Sequence, residues 1–169
     1  MYTSPIMHGF SGSFAAVPAE DSQSDDGDDS LFDGTSISIN FKNEMVNAAI
    51  AHNSDIDGQD TVRLVADFSL NNSKLGFIYQ MAEDADDSSV DEDSWLVSGQ
   101  HKIGKYTLKA QYGMTDYSND NEDTLAVLGA ERKLSKTSKM FTYYASVRKD
   151  KGLSIADDQT FGLGYEIKF

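Results

Sequence analysis

The sequence predicts an all-β chain, an antiparallel up-and-down transmembrane β-barrel of about ten strands whose apolar face meets lipid. Three observations predict it. Polarity alternates with a period of two along most of the chain, helical periodicity is nearly absent, and the breaks between runs switch between short turns and long acidic loops. Successive side chains of a strand point to opposite faces, so this alternation gives a sheet one apolar and one polar surface.

Ten runs read as strands, at about 10 to 17, 34 to 42, 45 to 52, 61 to 70, 74 to 82, 94 to 102, 105 to 115, 124 to 133, 139 to 148 and 159 to 169. In TSISINFK, Ile37, Ile39 and Phe41 oppose Ser36, Ser38, Asn40 and Lys42. In TVRLVADFSL, Val62, Leu64, Ala66, Phe68 and Leu70 oppose Arg63, Asp67 and Ser69, with Val65 an apolar exception on the side of the latter. KYTLKAQYGM sets Tyr106, Leu108, Ala110, Tyr112 and Met114 against Lys105, Thr107, Lys109, Gln111 and Gly113. MFTYYASVRK sets Phe141, Tyr143, Ala145 and Val147 against Met140, Thr142, Tyr144, Ser146 and Arg148, and the second set reads as the polar, inward one. The last run places Phe161, Leu163, Tyr165, Ile167 and Phe169 opposite Thr160, Gly162, Gly164, Glu166 and Lys168.

The short breaks are NE (43 to 44), NNS (71 to 73), IG (103 to 104) and LSKTS (134 to 138), all of hairpin-loop length. The long ones cover 18 to 33, 53 to 60, 83 to 93, 116 to 123 and 149 to 158; they hold 24 of the 28 acidic residues and only two of the 14 basic ones, Lys149 and Lys151. Every second connection of an antiparallel meander lies at the same end, so one rim is tight and the other long-looped and acidic. A soluble barrel would turn its apolar face inward around one small ligand and has no need of aromatics at strand ends or of five acidic loops. A membrane barrel turns that face to lipid, uses about 9 to 11 tilted residues per strand, carries aromatic girdles, and pairs short periplasmic turns with longer external loops.

Of 169 residues 39% are apolar and 25% charged, which leaves a water-filled interior or polar second face and an ordinary core both open, and no apolar run approaches the roughly 18 to 20 residues of a spanning helix. A formal charge of −14 argues against nucleic acid as a partner, since phosphate binding needs a basic surface. Without cysteine there is no disulfide, Cys-zinc site or thiol nucleophile. MYTSPIMHGF has neither the basic nor the apolar region of a secretory signal.

Three stretches carry a family resemblance: TFGLGYEIKF at the C-terminus, LGAERKLSKTSKMFTYYASV (128 to 147), and YTSPIMHGFSG (2 to 12). They resemble, in order, the closing strand, the penultimate hairpin and the entry to the seventh strand of Gram-negative general diffusion porins. The resemblance implies that the chain corresponds to the last ten strands of a sixteen-stranded barrel, as one domain over residues 1 to 169. The expectation is therefore an incomplete chain, lacking the first six strands and the constriction loop; an intact ten-strand barrel is the other reading. It also implies an outer-membrane location, a homotrimer when full length, and passive diffusion of ions and small hydrophilic solutes with no cofactor. Phe169 with Ile167, Tyr165, Leu163 and Phe161 would be the signal recognised by the outer-membrane assembly machinery.

Strand parity nominates the charges of the channel wall: Arg63, Asp67, Lys102, Lys109, Arg148, Glu166 and Lys168. For any one of them the plainer reading is a solvated wall residue. Trp95 and Tyr117 sit at strand ends, where interfacial aromatics belong, although ordinary packing accounts for such positions too. In the acidic loops Asp25, Asp26, Asp55 and Asp57 are weak candidates for divalent cations bridging to lipopolysaccharide; no firm metal site is expected. NSDIDG starts like an EF-hand, but the twelfth position is Leu64 where glutamate is required. The competing readings are a small outer-membrane protease or phospholipase, with His52 beside Ser54 and Asp55 at the external rim, and an adhesive or soluble β protein. His8 and His101 fall near the short-turn rim.

Overall fold

Why these residues make strands is visible in their turns. Asn71 and Asn72 alone separate Leu70 from Ser73, with Asn71 at φ 47°. Gly104 and Lys105 alone separate Ile103 from Tyr106, with Gly104 at φ 60°. Two-residue hairpin turns need positive φ at these positions, which Asn and Gly reach at least cost. Asn43 closes another turn by accepting hydrogen bonds on Oδ1 from the amides of Met45 and Val46 at 2.9 and 2.7 Å.

The computed structural model describes residues 1–18, 32–56, 58–85, 91–152 and 154–168. Among these, eleven strands form one sheet: β1 Tyr2–Thr3, β2 Phe10–Pro18, β3 Phe32–Lys42, β4 Val46–Ile56, β5 Gln59–Leu70, β6 Ser73–Asp84, β7 Asp91–Ile103, β8 Tyr106–Tyr117, β9 Glu122–Lys133, β10 Ser138–Asp150 and β11 Ile155–Ile167. Each strand pairs antiparallel with the next in sequence, so the order is an uninterrupted meander. The expected ten strands are all present. The eleventh, β1, is a two-residue addition that alternation could not show; it pairs Tyr2 with Phe14 and Thr3 with Ser13. Among the described residues no pairing joins β1 to β11, so the sheet is an open wall, the form of a partial barrel.

The ladders run past the expected strand ends on the long-loop side. β10 and β11 stay paired up to Asp150 and Ile155, and β6 with β5 up to Asp84 and Gln59. Alternation ends where the apolar belt ends, whereas backbone hydrogen bonds continue into the polar ribbons beyond it. Two irregularities bend the sheet near that rim, at Val17/Pro18 and between Asn53 and Ile56, where Asp55 has φ 51°.

No enclosed core forms. Among the described residues Ala82 is the one buried apolar side chain, while Phe161 and Leu163 are over 70% exposed. Exposed apolar area of this extent on one sheet face is incompatible with water as its solvent and requires lipid or protein against it.

Candidate functional site

Registers assign every described strand residue to a face, because cross-strand partners share one. Val62, Leu64, Ala66 and Phe68 of β5 face the same way as Met81, Tyr79, Phe77 and Leu75 of β6. Through Trp95 and Val97 of β7 that face continues to Met114, Tyr112 and Leu108 of β8, then to Leu128 of β9, Tyr144 of β10 and Phe161 of β11. Aromatic contacts mark its margins. Phe10 and Phe41 have centroids 4.7 Å apart, Trp95 and Tyr112 5.5 Å, and the Arg132 guanidinium lies 5.6 Å over the Tyr106 ring.

The opposite face is thinner and carries the charges, although Val65, Ile78, Leu96, Leu125 and Val127 also point to it. Gly76, Gly113, Gly129, Gly162 and Gly164 point to it by register, and residues from β5 through β10 line one shared recess there, so the face is concave. On its short-turn half a ladder of charges crosses four strands. Lys109 Nζ lies 2.5 Å from Glu131, Lys139 lies 3.4 Å from Glu131 and 3.3 Å from Glu166, and Lys168 lies 3.9 Å from Glu166. Nearer the N-terminus the Arg63 guanidinium donates to Gln80 Oε1, its Nε at 2.8 Å, and Asn47 Nδ2 donates to Asp67 Oδ1 at 2.9 Å.

Of the seven charges nominated for the wall, the structure brings Arg63, Asp67, Lys102, Lys109, Glu166 and Lys168 to this concave face. Arg148 is a correction. It pairs in register with Thr124 and Asp157, on the face that carries Leu128 and Tyr144. The alternation of MFTYYASVRK was read with its sides exchanged. The set that faces the recess is Lys139, Phe141, Tyr143, Ala145 and Val147. The two rings lie over glycines of β11: a Cβ on Gly164 would collide with the Phe141 ring, and one on Gly162 with that of Tyr143. These bulky residues occupy the polar side because their neighbours leave it empty.

Tyr117 is a second correction. It is opposite Glu92, on the concave face, and its hydroxyl donates to Asp123 Oδ2 at 3.4 Å, so it is no part of the apolar margin. Trp95 does lie on the apolar face. Phe161, Leu163, Tyr165 and Ile167 share that face, while Phe169 lies outside the described residues, as do Asp25, Asp26 and Asp57. Asp55 is described, and its backbone amide donates to Asp60 Oδ1 at 2.8 Å. Among the described residues no group of three His, Asp or Glu is placed to hold a metal ion. His52 is on the apolar face between Ile37 and Val62, pointing away from the recess.

Sequence reasoning missed Glu131 and Lys139, the hubs of the charge ladder. The run at 124 to 133 alternates too weakly to orient, and the exchanged reading of 139 to 148 put Lys139 on the wrong side. A hint lay in the recurrence of lysine close to each short turn.

A match to the Gram-negative porin family covers residues 1–152. No curated protein matches the chain in sequence. Among solved structures, the anion-selective porin of Comamonas acidovorans superposes with a TM-score of 0.74 at 17% identity, over 98% of this chain and 56% of that one. Another porin gives 0.71 at 16% identity over 99% and 60%, and a loop-deletion form of OmpT, an outer membrane protein of Vibrio cholerae, gives 0.67 at 17% over 98% and 61%. The chain thus spans somewhat over half the length of these structures. At such identities they speak for the fold, and the fold is that of a porin wall. The sequence match covers most of the chain and meets a sheet with one lipid-compatible and one polar face: the chain belongs to the Gram-negative porin family, whose place is the outer membrane.

Proposed function

We propose that this chain forms one wall of a water-filled channel for passive diffusion of ions and small hydrophilic solutes. The observation that carries the reading is the pairing of faces: a continuous apolar face with aromatic margins, backed by a concave, glycine-thinned face bearing an ordered charge ladder. Charges fixed along a wetted wall bias which ions pass and order the water between them. Arg63, Asp67, Lys102, Lys109, Glu166 and Lys168 are the wall residues in this reading, joined by Glu131 and Lys139. No bond chemistry is involved.

The remaining features of the full assembly extend the same proposal. The open sheet is completed by further strands of a sixteen-stranded barrel, the residues described form part of one domain, and full-length copies associate as trimers. The alternate apolar residues from Phe161 to Phe169 serve the assembly machinery, and the acidic loops approach lipopolysaccharide through divalent cations. Planar-bilayer recording of the full-length porin under a salt gradient tests the central claim. Stepwise openings with a reversal potential set by wall charge are expected; a lipid-embedded barrel that never conducts would overturn it.

A further inference from the structure

The two mouths of this wall differ in charge far more than a neutral conduit requires. Lysines from separate segments converge on the short-turn side, held together by backbone bonds: the Lys133 amide donates to the Lys105 carbonyl at 2.8 Å, and the Lys168 amide to the Thr137 carbonyl at 2.8 Å. A recess of about 310 Å³ results, lined by Lys102, Lys105, Lys133, Lys136, Lys139 and Lys168 against Glu131 and Glu166, six positive charges to two negative. Both carboxylates are already engaged by Lys109, Lys139 and Lys168. Among the described residues no carboxylate lies within 4 Å of Lys102, Lys105, Lys133 or Lys136. Among the described residues, these four ammonium groups thus share one concavity with no carboxylate paired to them.

The chemistry of the lining selects the ligand class. No arginine lines the recess; its cations are lysine ammonium groups alone, the point charges that bind phosphate groups without a planar fork. Lysine ammonium groups are point charges with donors in three directions, which suits the oxygens of a phosphate group. The hydroxyls of Thr107, opposite Glu131 in register, and Thr137 add neutral donors beside them. The volume lies at the low end of small-molecule sites, nearer to a di- or triphosphate than to a nucleotide. Because the recess opens on the polar face, its ligand arrives from water.

We propose that the short-turn mouth of the channel is a binding site for small phosphate-bearing polyanions, built by Lys102, Lys105, Lys133 and Lys136 around the Glu131–Lys139–Glu166 ladder. This rests on the channel reading above. The opposite mouth, where Asp60, Asp84, Asp91, Asp120, Asp150 and Asp158 lie at or near the strand ends, repels the same solutes, so capture is one-sided.

The test is inorganic pyrophosphate, added first to one side and then to the other of single full-length porins in phosphatidylcholine bilayers. Current reduction from one side alone is expected. A Lys102→Gln, Lys133→Gln, Lys136→Gln variant should weaken it by about ten-fold or more, and Lys149→Gln at the other mouth should not. Equal block from both sides, or a triple variant that blocks as well as the parent, overturns the site. Block that vanishes in phosphatidylglycerol bilayers assigns the lysines to lipid headgroups and overturns it too. If the porin inserts but never conducts, the channel reading fails, and calorimetry of pyrophosphate with the detergent-folded parent and triple variant decides the site alone. Heat of binding that the variant loses supports the site; no binding to the parent, or equal binding by the variant, overturns it.

Discussion

β8 and β10 present the same alternation and opposite outcomes. In β8 the apolar set Leu108, Ala110, Tyr112 and Met114 is on the outer, lipid-compatible face, and Lys109 and Gln111 are on the concave one. In β10 the set that looks apolar, Phe141, Tyr143, Ala145 and Val147, is on the concave face, and Thr142, Tyr144, Ser146 and Arg148 face outward. Alternation states that two faces differ; it does not state which is inside. Lipid accepts a threonine or serine whose hydroxyl is satisfied locally, as when Thr142 donates to the Gly162 carbonyl at 3.0 Å. A channel wall accepts aromatic rings where glycine on the next strand makes room for them.

Substitutions can break this contrast. The largest effect is expected at Leu128, mid-strand on β9 and 63% exposed on the lipid face. Leu128→Arg should cost about 2–4 kcal/mol in urea unfolding from lipid vesicles. Gly164→Val comes next: a branched side chain would strike the Phe141 ring, an overpacking cost of roughly 1–3 kcal/mol by the same measurement. Ala145→Arg sharpens the comparison most. Were β10 oriented as its alternation suggests, the arginine would meet lipid and match the Leu128→Arg loss. On the channel face it should cost less than about 1 kcal/mol and shift the reversal potential toward anions.

Smaller effects separate wall charges from rim charges. Lys139→Gln removes the ammonium shared by Glu131 and Glu166 and should move selectivity toward cations, at a stability change of about 0–1 kcal/mol because the pair sites are wetted. Arg148→Gln should leave the reversal potential unaltered, since Arg148 is on the outer face with Asp150 at 3.8 Å. A selectivity change at Arg148 equal to that at Lys139 would reverse the assignment of β10.

Much of this was legible in the residues. The ten long strands, their antiparallel order, the tight and acidic rims, and the lipid face of β5, β8 and β11 follow from local alternation and turn residues such as Asn71 and Gly104. Less legible was anything that depends on a neighbour. Arg148 was assigned inward because the set it shares with Thr142 and Ser146 looks like the polar side of β10, and Tyr117 outward because it lies near a strand end, where the apolar belt fades and parity loses its reference. β1 is too short for any period to register, and Glu131 and Lys139, eight residues apart in the chain, meet only across a hairpin.

What local chemistry determines here is periodicity: which residues alternate, where glycine or asparagine permits a turn, and on which rim carboxylates collect. Those properties reside in neighbouring positions along the chain. Orientation, the charge ladder and the convergence of lysines at one mouth depend on register, set by hydrogen bonds between strands. A strand of period two fits its partner equally well with either side up until its neighbours are in place, so that choice belongs to the assembled sheet.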